Sequence, residues 1–84
     1  MTTHEEKLRQ AMRNGFDQAA LMGVQTSPNE FLEGVFIENS LGGLRDYFLN
    51  EPKVQTMGRE LGLNIASIIE DEYQKARHRH LINI

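Results

Sequence analysis

Apolar side chains recur along this chain at intervals of three and four residues. Leu8, Met12, Phe16 and Ala19 follow one another at spacings of four, four and three, flanked by Ala11, Gly15 and Met22. That is the stripe of an amphipathic helix, and it predicts a first helix from about Glu5 to Met22. Thr3 is placed to cap it, with Glu6 three residues on at the capping-box spacing. The segment Gly23-Val24-Gln25-Thr26 then breaks the pattern, and Ser27-Pro28-Asn29-Glu30 reads as a new helix start. Ser27 is the expected N-cap, Pro28 fills the first turn and Glu30 closes the box. The second helix is expected to bury Phe31, Leu32, Val35 and Phe36 and to carry Glu30, Glu33 and Glu38 outward.

Asn39-Ser40-Leu41-Gly42-Gly43 is expected to be a turn, because each glycine weakens a helix by about 1 kcal/mol relative to alanine. One continuous, kinked helix is the alternative. A short third helix, about Leu44 to Leu49, turns Leu44, Tyr47 and Phe48 inward. Pro52 opens a fourth, with Val54, Met57 and Leu61 on its apolar side and Gly62 as its C-cap. A fifth, about Asn64 to His80, buries Ile65, Ile68, Ile69, Tyr73 and Ala76. No stretch of four or more residues alternates in the manner of a strand. The expectation is an all-α fold, residues 1–84 forming a single compact domain of four to five short helices.

The last two predicted helices resemble a helix-turn-helix. Gly58 supplies the small residue, Gly62 the turn, and Met57, Leu61, Leu63 and Ile68 the apolar lock. The pattern departs at Asp71, where an apolar residue is usual. If this unit reads DNA, Asn64 and Ser67 are the candidates for base edges, and Lys75, Arg77 and Arg79 for phosphates. Glu70 and Asp71 oppose that use, since they bring negative charge to a polyanion.

Charge sharpens the doubt. The net charge is −3. Residues 27–51 hold five acids and one arginine, and residues 74–84 hold Lys75, Arg77 and Arg79 with no acid. An acidic middle therefore precedes a short basic tail. The first-ranked reading is a non-catalytic protein-interaction factor: an accessory, assembly or inhibitor protein of phage or mobile-element type, with a homodimer as one form of that interaction. The candidate contact residues are Ile37 and Leu41, which fall off the Phe31–Val35 face, together with Glu33, Glu38 and Glu72. Glu72 is the notable one, since it falls inside the Ile65–Ile69–Ala76 stripe and a carboxylate there needs a cation or an interface. Lys75 and Arg79 lie within reach along the helix. The alternative is a DNA-binding regulator using residues 53–80.

Raw material for catalysis is sparse. The chain has no cysteine, which excludes disulfides and thiolate chemistry. His78 and His80, two apart, diverge on a helix, and there is no phosphate loop, HExxH or calcium loop. The expectation is no enzyme, no cofactor and no metal. The start "MTTHEEKLRQ" has no apolar leader, and no apolar run approaches the roughly 20 residues of a membrane helix. A cytoplasmic location is the corresponding expectation.

Overall fold

A computed structural model describes residues 3–82. Helix α1 spans His4–Thr26, a 3-10 turn at Glu30–Leu32 leads into α2 at Glu33–Asn50, α3 spans Pro52–Leu61, and α4 spans Ile65–Arg77. A π-helical turn, His78–Ile82, continues from α4. The described residues contain no strand, and the fold is all-α.

Local chemistry accounts for most boundaries. The Thr3 hydroxyl accepts the Glu6 N–H at 3.1 Å and starts α1. The Glu51 carboxylate accepts the Lys53 N–H and Pro52 occupies the first turn, so α3 begins there. It ends in a Schellman motif. Gly62 sits at φ 67, the Leu63 N–H reaches the Gly58 carbonyl at 2.9 Å, and the Gly62 N–H reaches that of Arg59 at 3.2 Å. Asn64 caps α4 by accepting the Ser67 N–H. Between α1 and α2 the capping differs from expectation. Ser27 terminates α1, donating its N–H back to Gly23 and Val24, while Asn29 caps the 3-10 turn.

Helix α2 corrects two expectations. It runs unbroken through Gly42 and Gly43, and a Cβ at either glycine would meet nothing within 4 Å. These glycines lie away from the packed interior, and neither needs a left-handed conformation. The buried face is also the opposite one. Ile37 and Leu41 are 7% and 0% exposed, with Leu44 and Phe48 packed against the same core. Phe31 and Val35 are 88% and 52% exposed.

The core is built where α4 lies against the α1–α2 hairpin. Met12, Phe16 and Ala20 of α1, Ile37 and Leu41 of α2, and Ile65, Ile68, Ile69, Tyr73 and Ala76 of α4 form one cluster. Each large side chain so buried stabilises the fold by about 1.5–3 kcal/mol. Phe16 meets Phe48 edge-on, with ring centroids 5.6 Å apart, and Tyr73 lies 6.0 Å away. Met22, expected in the α1 stripe, is exposed.

Length then sets what is left uncovered. Twenty-three residues make α1 about 34 Å long, against about 20 Å for the thirteen of α4. The molecule measures 43 × 27 × 16 Å, with a radius of gyration of 13.6 Å. A compact chain of this length would have one of about 12 Å. The excess is the hairpin, whose α1–α2 connection extends past the end of α4.

Candidate protein-interaction surface

The expected contact residues separate into three groups. Ile37 and Leu41 are core, so they offer no free face. Their role is to hold α2 on α1 and α4. Glu33 is half-buried and Glu38 exposed, and Glu38 accepts a bond from Arg77 at 3.1 Å. Glu72 is fully buried at the α1–α4 seam.

The Glu72 site is an ion cluster. One carboxylate oxygen lies 3.0 Å from Arg9 Nη1 and 3.4 Å from Lys75 Nζ, and the other lies 3.6 Å from Arg13 Nε. Arg9 also holds Glu5 at 3.1 Å and Asp71 at 2.6 Å. The Glu72 carboxylate, then Glu5, binds the Arg9 proton more firmly than usual and raises its pKa. Arg9 and Lys75 in turn hold Asp71 below the usual carboxylate range. The side chain at the stripe position is thus matched by cations from its own and the neighbouring helix, as a buried charge requires.

Four of the five residues proposed for nucleic acid have engaged side chains as well. The Asn64 side-chain oxygen caps α4 and Ser67 is exposed. Lys75 pairs with Asp71 and Glu72, Arg77 with Glu38, and Arg79 with Asp17 at 2.7 Å. His80 Nε2 also lies 2.7 Å from that Asp17 oxygen. Burial pushes the Asp17 carboxyl up, but the bonds from His80 and Arg79 outweigh it, and its pKa is lowered. Arg77 therefore ties α4 to α2 and Arg79 ties the π-turn to α1, while Lys75 pairs within α4.

What remains open lies at the hairpin tip. At Gly23 the two backbones touch: a Cβ there would come within 2.7 Å of the Ile37 Cα and 2.8 Å of the Phe36 carbonyl oxygen. Past this crossing, among the described residues, α1 and α2 pack against each other and the 3-10 turn. Exposed large apolar side chains lie at or beyond this crossing: Leu21 and Met22 in the turn just before Gly23, and Val24, Phe31, Leu32 and Val35 past it. Among the described residues the remaining one, Tyr47, lies elsewhere on α2. Six of the seven fall within residues 21–35, at one end of the molecule. Glu30 and Glu33 flank it, and no described cation lies within 4 Å of either.

Sequence reasoning missed this tip because it gave Phe31 and Val35 to the core. A signal for the other choice exists. Ile37, Leu41, Leu44 and Phe48 are spaced four, three and four apart, a helical repeat that crosses Gly42-Gly43 without a break.

Comparison with protein-family models, curated proteins and solved structures gives no significant match. The functional reading rests on the chemistry of this chain.

Proposed function

We propose that this protein is a non-catalytic protein-interaction factor, of an accessory, assembly or inhibitor kind, and that the α1–α2 tip is its contact surface. One observation carries the reading: the exposed large apolar side chains are concentrated at the tip, with Phe31 88% exposed. Exposed single hydrophobes are ordinary, but a gathered set costs solubility and is kept where it is covered in use. The surface differs from the one expected at Ile37 and Leu41, and the class of function is the same. The test is a photo-crosslinking amino acid placed at position 31, 35 or 47 in the source cell. Specific adducts at 31 and 35, absent at 47, support the reading. Equal labelling at all three positions refutes it.

A second reading, a helix-turn-helix DNA-binding regulator using residues 53–80, draws on a different observation. A Cβ on Gly58 would lie 2.8 Å from the Ile65 Cβ, and the Gly62 turn is left-handed, so α3 and α4 are closely joined. Against it stand the ion pairs that occupy Lys75, Arg77 and Arg79, and the acids Glu70 and Asp71 on α4. Phosphate contacts need cations that are free to displace counterions. Anisotropy against a random duplex at about 50 mM salt separates the two readings, since DNA-reading domains hold non-specific DNA at micromolar to 0.1 mM concentrations even at physiological salt.

A further inference from the structure

We infer that the tip takes a cationic amphipathic segment of another protein, an inference that rests on the reading of the tip as the contact surface. From Asn14 to Leu44 the chain has no lysine or arginine, and it carries Asp17, Glu30, Glu33 and Glu38. Two of these acids are neutralised from within, Asp17 by Arg79 and Glu38 by Arg77. Both lie where α4 and the π-turn end. Glu30 and Glu33 lie beyond, beside Phe31, Leu32 and Val35, and they have no described cation within 4 Å. The tip thus presents apolar surface with uncompensated negative charge along its rim.

Complementarity then selects the occupant. An apolar face flanked by lysine or arginine covers the hydrophobes and supplies the missing cations, and opposite potentials across an interface favour encounter and register. A second copy of this chain fits poorly in either arrangement. Tip against tip sets Glu30 and Glu33 of one copy beside those of the other. Head to tail needs an exposed apolar face elsewhere, and outside the tip Tyr47 is the one large exposed apolar side chain among the described residues. Gly34 adds room for an approach. A Cβ there would meet nothing within 4 Å, so no internal contact calls for a glycine at this point of α2.

The test uses two synthetic 18-residue amphipathic helices with the same leucine face, one flanked by lysines and one by glutamates, titrated into the full chain by fluorescence anisotropy. The expected result is tighter binding of the lysine peptide, by about 10-fold or more at low salt, with the preference shrinking as salt screens the charges. Phe31→Ser lowers that affinity about 10-fold. Glu30→Gln with Glu33→Gln removes the preference between peptides and preserves the dependence on Phe31. Glu60→Gln, at an exposed acid on α3, changes neither. Equal binding of both peptides, still lost in Phe31→Ser, overturns the cationic partner and leaves the contact surface standing. Binding indifferent to Phe31→Ser, or binding of neither peptide at millimolar concentration, overturns both. Sedimentation that shows a dimer abolished by Phe31→Ser assigns the tip to a second copy and overturns the inference.

Discussion

The two halves of α1 face opposite chemical conditions. The N-terminal half lies against α4, and there Arg9 and Arg13 meet a fully buried Glu72. The C-terminal half outruns α4, and there Leu21, Met22 and Val24 stand in water. Charge is inside where helices pack side by side, and hydrocarbon is outside where no third helix reaches. Each is the informative exception to ordinary burial, and they have different explanations. The buried carboxylate is charge-paired by its neighbours, with one oxygen left without a hydrogen bond, and speaks of architecture. The exposed apolar set is covered by nothing among the described residues, and it is the basis of the proposed contact surface.

The sharpest way to break this comparison is at α2, where the core and tip faces are two residues apart. Ile37→Glu puts an unpaired carboxylate into the core beside Leu41. Its cost exceeds the roughly 5 kcal/mol that a domain of this size has in total, so cooperative thermal unfolding should disappear in circular dichroism. Val35→Glu, on the tip, should stay folded with Tm within a few degrees of the parent, the surface range of about ±0.5 kcal/mol. An Ile37→Glu protein that melts like the parent would invert the two faces.

The seam is next. Glu72→Ala strips the shared anion from Arg9, Arg13 and Lys75. The expected loss is about 3 kcal/mol by urea denaturation, at the low end of what breaking a buried pair costs, because Arg9 keeps Glu5 and Asp71. A loss below about 1 kcal/mol would make the seam an ornament of the packing. Acid probes the same helices through Asp17 and Asp71, whose folded pKa values are depressed from 3.8. Their contribution is fully present above that value and is lost as pH falls through the lower folded values. A Tm series from pH 5 to pH 2 should therefore drop steeply below about 3.8, and the drop should be shallower in Asp71→Asn.

Gly43→Ala tests why part of this fold was legible in the sequence and part was not. The caps at Thr3 and Gly62 and the α4 stripe from Ile65 to Ala76 could be read directly, because each is a local signal with one structural outcome. The face of α2 could not. It carries apolar residues on both sides, Phe31 and Val35 opposite Ile37 and Leu41, and only the arrival of α4 decides between them. The paired glycines misled for a related reason: in an open helix face they weaken the helix without ending it. If so, Gly43→Ala should raise stability by about 0.5–1 kcal/mol, since the exposed site has room for a methyl group. A destabilised variant would mean that the glycines serve a bend in α2. Glu72 was half legible. Its place in the stripe demanded a cation, and Lys75 is one, but Arg9 and Arg13 lie about sixty residues away in sequence and only the tertiary fold brings them there.

Phe31→Ser should have the smallest effect on stability, and that is its use. A side chain 88% exposed contributes little to folding, so urea denaturation should place the variant within about 0.5 kcal/mol of the parent. Glu72→Ala makes the reverse comparison, with a large effect on folding and, in whatever fraction stays folded, an intact tip. The crossed result separates the two halves of α1 by function: stability follows the seam and association follows the tip. A loss of several kcal/mol in Phe31→Ser would show that the aromatic ring is structural after all. The tip would then be a loosely packed extension of the core, and the gathered hydrophobes would no longer call for a partner.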